Sequence, residues 1–447
     1  MQRRKTVWIA IIVGLMVICV VPARARKDAN YQEFNLLALI IEKIRVNYVK
    51  EVEDKDLFTG ALDGVVSTLD PYSQYLPPRE SDQLKIDTEG EYGGLGIVIT
   101  VRNRQLTVIT PMEDSPAFRA GILAGDKILA IDGRSTEGIT IHKAVDTLRG
   151  KSGTKVKLTI LQEDATKTRS VTLIRSRIEI QSIKGITRLP DGTWDYWADK
   201  DEKIGYVRAT QFQQKTIPKM DKVVNDLVSQ GLRALIVDLR FNSGGLLNVA
   251  IEMSDRFVSD GIIVFTRGRA QEVYKEYKGK SGDDYPDFPL VVLINGGSAS
   301  ASEIVAGCLQ DRKRAILVGT RSFGKGSVQS IIPLAGKHTL KLTTARYYTP
   351  SGRSIHREED ATEEDEWGVT PDIVVEISRE DQAALWQTKN DADVIQKEKT
   401  TKEEGGEEKP EIEKPAQEKP APKARDVQLE RAVEILKAID IYQNLKK

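Results

Sequence analysis

Five consecutive apolar residues, Leu290-Val291-Val292-Leu293-Ile294, constrain this chain more than any other stretch. A run without a polar residue suits a strand covered on both faces, and so a sheet with helices packed above and below it. The loop that follows, Asn295-Gly296-Gly297-Ser298-Ala299-Ser300-Ala301-Ser302, is built of small residues that let the backbone turn sharply into a helix over 303–311. Serines alternate through it at 298, 300 and 302. At a helix start a serine hydroxyl either caps the helix amides or, if a base reaches it, attacks a carbonyl carbon held by neighbouring N–H groups. Ser302, with Glu303 behind it, reads as the cap, which leaves Ser298 and Ser300 to be explained.

The base is not an obvious histidine. The chain has three, His142, His338 and His356, and none lies in a context like a serine-histidine-acid triad. Lys325, between Gly324 and Gly326 at the end of a second apolar strand over 315–319, is better placed. A lysine works as a general base only when neutral, which a water-excluded site favours. The same residues read equally as a surface lysine in a glycine turn. A phosphate-binding loop is unlike this stretch, because no Ser or Thr directly follows Lys325 and a strand-like run comes next.

Gly297-Ser298-Ala299-Ser300-Ala301-Ser302-Glu303-Ile304, followed by Gly319-Thr320-Arg321-Ser322-Phe323-Gly324-Lys325-Gly326-Ser327-Val328-Gln329, resembles the signature of the C-terminal processing peptidases, also called tail-specific proteases. The resemblance implies that Ser300 is the nucleophile, Lys325 the general base and Gln329 the residue that orients the lysine. It implies an α+β or α/β multidomain chain with a crotonase-like, Clp-like protease core, and a reaction that uses no metal, nucleotide or other cofactor. Asp238-Leu239-Arg240-Phe241-Asn242-Ser243-Gly244-Gly245 is similar to the family's D-L-R-x-N-x-G-G motif. There an amide of Gly244 or Gly245 would supply one half of an oxyanion hole and the amide of Ala301 the other. The plainer reading of those glycines is a tight strand-to-helix turn.

The remaining chain supports this organisation. Arg3-Arg4-Lys5 before the apolar run 7–21, with Ala23-Arg24-Ala25 after it, reads as a signal peptide or retained N-terminal membrane anchor over 1–27, so the rest is expected to be exported, periplasmic or otherwise extracytoplasmic. Lys plus Arg and Asp plus Glu each total 66, so no global basic field points to nucleic acid. Beyond the leader Cys308 is the single cysteine, a small core residue by its setting, and no cluster has metal-ligand spacing. A helical segment is expected over 28–84, where Phe34, Leu37, Ile41, Ile44 and Tyr48 recur at helical spacing and predict one buried face. Leu69-Asp70-Pro71-Tyr72-Ser73 resembles a family motif there, and such helices pair between subunits in the family, so a homo-oligomer, a dimer, is expected.

Residues 85–178 read as short strands with one amphipathic helix and resemble a PDZ domain. The resemblance implies that Gly94-Leu95-Gly96-Ile97 receives a peptide's terminal carboxylate, that the peptide adds as a strand between the Ile97 strand and the His142 helix, and that Arg149 couples binding to assembly of the catalytic site. The core is expected over 179–386, with alternating strands and helices that suit a mainly parallel sheet. A charged, Pro-rich linker over 387–425 lacks the apolar content to order, and an amphipathic helix over 426–447 must dock on its own core or on a partner. Together these imply a serine endopeptidase that cleaves exported polypeptides near apolar C-termini. A second reading from another class, a non-catalytic PDZ-containing scaffold binding peptides or small ligands, gives no reason to carry Ser300, Lys325 and Gln329 together.

Overall fold

The computed structural model describes residues 31–446 except 163–164, 190, 270–273, 283, 363 and 395–424. The expected leader and most of the expected linker lie outside the described residues. The chain divides into two compact units at Pro77.

In the first unit, α1 (Tyr31–Asn47) and α2 (Asp54–Ser67) bear out the helical periodicity, but not the burial it predicts. Ile41 is buried, whereas Phe34, Leu37 and Tyr48 are exposed, as are Phe58 and Val65 on the second helix. Among the described residues of this unit, two helices and the short strand Gln74–Leu76 do not cover both apolar stripes.

The second unit opens with α3 (Pro78–Glu89) and a small antiparallel sheet. Its strands β1 (Ile97–Arg102), β2 (Gln105–Pro111), β3 (Lys127–Ile131), β4 (Lys155–Leu161) and β5 (Arg169–Ile174) follow one another in that spatial order. The helix α4 (Ile141–Leu148) starts where Thr140 Oγ1 accepts from the N–H of Lys143, and it buries Ala144 and Leu148 against Leu106, Ile128, Leu158 and their neighbours. In the order of the sheet β1 stands at the end, with β2 on one side.

The larger core is a parallel sheet of β6 (Ile204–Ala209), β7 (Ala234–Asp238), β10 (Leu290–Ile294), β11 (Ile316–Gly319) and β14 (Ile373–Val374). Between them run α5 (Thr216–Ser229), α6 (Leu247–Asp255), β8 (Ile262–Gly268), β9 (Lys275–Lys278), α7 (Ala301–Asp311), β12 (Ser327–Pro333) and β13 (Thr339–Tyr348). Strands β12, β13, β8 and β9 pair antiparallel in that order.

The apolar run of β10 is buried throughout and its side chains alternate between two clusters. Leu290, Val292 and Ile294 meet residues of α5, α6 and α7, such as Val224, Val249 and Val305. Val291 and Leu293 meet Ala432 and Leu436 on the other face. These two belong to α9 (Val427–Leu445), so the terminal helix docks on its own core. Each large aliphatic side chain removed from water contributes about 1.5–3 kcal/mol, so a strand apolar at every position needs a layer on both of its faces.

The linker begins later than composition predicts. Residues 387–393 complete α8 (Arg379–Asp393), because polar side chains here are held by the core: Lys389 Nζ lies 2.7 Å from Asp238 Oδ2, and Asp393 pairs with Lys184 and Arg208. Asp238 ends β7 fully buried and is bonded by Arg240 as well, through Nε at 3.0 Å and Nη2 at 2.7 Å. Burial alone would raise its pKa, but Arg240 and Lys389 outweigh that and hold the carboxyl well below the usual carboxylate range. A carboxyl depressed on folding contributes stability above its unfolded pKa and loses it as the pH falls. The difference in urea-unfolding free energy between wild type and Asp238→Asn is therefore expected to be widest near neutrality and to narrow below about pH 5. A gap that does not change with pH would contradict this.

Candidate active site

The three serines after β10 have different surroundings. Ser298 is buried, donating to the Leu239 carbonyl at 2.8 Å and accepting from the N–H of Asn295 at 3.0 Å. Ser302 is buried and donates to the Asn242 carbonyl at 2.8 Å. Both hydroxyls thus bind the 238–245 segment to the helix start. Ser300 is half-buried, and its backbone has φ 55° and ψ −112°. A non-glycine residue held there costs about 1–3 kcal/mol and persists only where its surroundings impose it.

Ser300, not Ser302, occupies the N-cap position, and α7 begins at Ala301, two residues before the expected start. The cap moved because the Ser302 hydroxyl is committed to Asn242. The N–H of Glu303 goes to the carbonyl oxygen of Ser300 at 2.9 Å, and the Ser300 side chain makes no cap hydrogen bond.

Glu303 is the residue that sequence reasoning passed over. Its carboxylate is buried and accepts four hydrogen bonds: Oε2 from the N–H of Ser300 at 2.7 Å and of Lys325 at 2.9 Å, and Oε1 from the N–H of Gly324 at 2.7 Å and the Ser322 hydroxyl at 2.6 Å. One oxygen is shared by the peptide units of Ser300 and Lys325, which sets them side by side. Burial pushes the carboxyl pKa up, against four bonds that favour the ionised form. The Ser300-x-x-Glu303 spacing, that of a capping box, is the signal that was present.

The lysine loop is held elsewhere too. The Phe323 N–H donates to the Ser298 carbonyl at 3.0 Å, and the Tyr347 hydroxyl donates to the Lys325 carbonyl. Gln329 follows on β12, its amide nitrogen donating to Ser327 Oγ at 2.8 Å and Thr343 Oγ1 at 3.3 Å. The structure thus brings the Lys325 loop to the Ser300 turn and places Gln329 on the strand leaving it.

The glycine turn closes on the same serine. Gly244 has φ +106°, and a Cβ there would lie 2.9 Å from the Ser300 Cβ and 2.8 Å from the Ala299 carbonyl oxygen, so only glycine permits the approach. Its N–H is occupied by the Asn242 side-chain oxygen at 2.9 Å. Among the described residues the N–H groups of Gly245 and Ala301 make no backbone hydrogen bond outside regular helix and strand pairing. The sequence leaves the two glycines equivalent; in the structure the Gly244 N–H is bonded to Asn242.

In the small sheet, a groove between β1 and α4 is lined by Tyr92, Leu95, Gly96, Ile97, Ile99, Val145, Leu148 and Arg149. Of the residues expected here, Leu95, Gly96, Ile97 and Arg149 line it, and Gly94 and His142 do not. Gly94 is held in a strand pair opposite Ser176, and His142 is exposed in the first turn of α4, leaving Val145 and Leu148 to face the groove. The Arg149 guanidinium donates to Gln83 Oε1 at 2.7 Å and lies 4.9 Å from the centre of the Tyr92 ring.

Residues 203–375 match the family model of peptidase family S41, residues 83–161 that of a PDZ domain, and residues 20–79 that of the activating protease CtpB N-terminal domain. A carboxy-terminal-processing protease of Bartonella bacilliformis is 41% identical, the alignment covering 83% of this chain and 83% of that protein. A carboxyl-terminal-processing protease of Picosynechococcus sp. is 37% identical, over 74% and 76% of the two chains. The carboxy-terminal processing protease CtpA of Bacillus subtilis is 30% identical, over 77% and 69%.

The Glu303 cluster has a consequence for stability. Glu303→Gln keeps the shape but turns one acceptor into a donor that faces N–H groups, an unmade buried bond costing about 1–3 kcal/mol. Urea unfolding is expected to show a loss in that range; an unchanged midpoint would mean that the four bonds contribute nothing net.

Proposed function

The chain belongs to the C-terminal processing peptidases of family S41 and carries a PDZ domain, and on that premise we propose that it cleaves polypeptides near an exposed C-terminus with Ser300 and Lys325. The observation that carries this reading is the contrast among three serines. Ser298 and Ser302 donate their hydroxyls to backbone carbonyls, whereas Ser300 stands in a strained turn with its N–H on the carboxylate oxygen that also holds the N–H of Lys325.

In this reading neutral Lys325 accepts the Ser300 proton as Oγ attacks the scissile carbonyl carbon. The oxyanion is received by the N–H groups of Gly245 and Ala301, with Gly244 making room for the turn. Collapse of the tetrahedral intermediate breaks the C–N bond, and the proton on Lys325 passes to the leaving amine. Water then attacks the acyl-enzyme, giving its proton to Lys325, and the second collapse returns a proton to Ser300. Gln329 orients the lysine through its side-chain oxygen, since its amide nitrogen already serves Ser327 and Thr343. No metal or other cofactor takes part in this scheme.

The relatives' names concern C-terminal processing, and the groove beside an edge strand suits a peptide tail added to β1. Its lining of Leu95, Ile97, Ile99, Val145 and Leu148 favours an apolar C-terminus. The basic-then-apolar N-terminus supports export, either as a cleaved signal or as a membrane anchor. The exposed apolar residues of α1 and α2 support a homodimer. We also read the parallel sheet with its covering helices as a crotonase-like, Clp-like core.

Ser300→Ala and Lys325→Ala are each expected to abolish cleavage of a protein with an apolar tail, followed by mass spectrometry, and the double variant to be no worse than either. Ser298→Ala and Ser302→Ala should cleave at a substantial rate while losing about 1 kcal/mol of stability. Turnover that survives Ser300→Ala would move the nucleophile elsewhere. For the groove, Arg149→Ala is expected to slow cleavage of both a tailed protein and a short unstructured peptide, because Arg149 joins α3 to the groove instead of merely closing α4. Two unchanged rates would leave Arg149 a helix-end charge.

A further inference from the structure

The end of the chain reaches the catalytic turn through one buried arginine. Asp426 is the N-cap of α9, accepting from the N–H of Leu429 at 3.1 Å. Its two carboxylate oxygens also receive both terminal nitrogens of Arg240, at 2.7 and 2.8 Å. Gln428 accepts a further bond from Arg240 at 3.0 Å, and its own amide donates to the Val375 carbonyl at 2.8 Å. The rest of the guanidinium is spent on Asp238. A fully buried cation is thus neutralised jointly by the end of β7 and by the N-cap residue of the terminal helix.

Two residues beyond Arg240, Asn242 makes the contacts that shape the site. Its carbonyl accepts from the Ala299 N–H at 3.0 Å and the Ser302 hydroxyl at 2.8 Å, while its side-chain oxygen holds the Gly244 N–H. Phe241 between them has φ 62°, and its N–H is held by Asn295 Oδ1 at 2.9 Å. Asp426 is bonded to Arg240, two residues of backbone lead from Arg240 to Asn242, and Asn242 is bonded to the serine and glycine turns.

We infer that the docked terminal helix positions the active site, with Asp426 acting through Arg240 to hold the 240–245 turn in register with Ser300. The inference rests on the reading of Ser300, Gly245 and Ala301 given above. Without the Asp426 carboxylate, Arg240 is left buried with less than its neutralising charge beside Lys389, a state relieved when the segment shifts to let the guanidinium reach water. The turn that would receive the oxyanion moves with it. The apolar contacts of Ala432 and Leu436 would by themselves make the helix a cover for the sheet and nothing more.

The test uses the full-length protein and a tailed substrate at a temperature where circular dichroism shows each variant folded. Asp426→Ala is expected to lower kcat by about tenfold or more with KM changed by less than about twofold, as for loss of a group that acts in the transition state. Asp426→Glu should recover part of the loss. Lys437→Ala, which removes a 2.7 Å ion pair with Asp199 from the same helix, should leave kcat as in wild type. Wild-type kcat in Asp426→Ala, or an equal fall in Lys437→Ala, overturns the inference. If Asp426→Ala does not fold, a specific protease site placed within 395–424 allows the chain to be cut there in the otherwise unaltered protein. Activity lost on dilution should return with a synthetic peptide of residues 425–447 and not with the same peptide carrying Asp426→Ala; equal rescue by both overturns the inference. Cleavage that persists in Ser300→Ala refutes the reading of the site itself, whereas Ser300-dependent cleavage indifferent to Asp426 refutes only the role of the helix.

Discussion

A carboxylate removed from water must be met by donors or protonated, and Glu303 is met by four. Those donors come from the serine turn and from the lysine loop, two segments that have no backbone ladder in common. Charge-assisted bonds of this kind are each worth about 1.5–3 kcal/mol, the scale of the strain at Ser300. The φ of 55° is tolerated because the N–H it aims is received by Glu303. Remove that acceptor and the strained N–H of Ser300 loses its partner, although Ser298, Ala299 and Ser302 still tie the turn to Leu239 and Asn242.

The parallel sheet decides where such an arrangement can stand. Strands β7 and β10 run side by side, so the turns that leave their carboxyl ends, one ending in Gly244-Gly245 and one carrying Ser300, are adjacent. The third loop leaves β11, which pairs with β10, and brings Lys325 to the same end. Buried serine hydroxyls then join the first two turns, Ser298 to Leu239 and Ser302 to Asn242. The S-A-S-A-S run thus divides its labour: the outer serines are buried and tie turns together, and the middle one is half-buried in a strained turn.

Charge is buried at this end of the sheet as well, and it obeys a different logic. The cluster of Asp238, Arg240, Lys389 and Asp426 draws on β7, α8 and α9, and burial lowers Lys389 to a pKa of about 8 although Asp238 opposes the change. Buried ion pairs of this sort add little net stability over an apolar filling, but losing one partner is costly. Here Lys389 of α8 is tied to Asp238 at the end of β7, and Asp426, the N-cap of α9, to Arg240 just beyond it.

The strand periods, the small-residue turn and the glycines are local matters, which is why the α/β core and a PDZ domain, matched over 83–161, were legible in the sequence. The choice of Ser300 came from a resemblance, since three alternating serines look alike until their partners are known. Only the tertiary structure decided which hydroxyls are spent, because Leu239 and Asn242 lie some sixty residues from the serines that donate to them. The same holds for Glu303, read as a helix-start residue although two of its donors, Gly324 and Lys325, lie more than twenty residues on. It holds for residues 387–393, whose polar composition says solvent until Asp238 and Arg208 are found facing them. It holds for α1 and α2 in reverse, where a periodic apolar stripe promises burial that two helices cannot provide. A sequence records which side chains need a partner, and the fold determines which partner arrives.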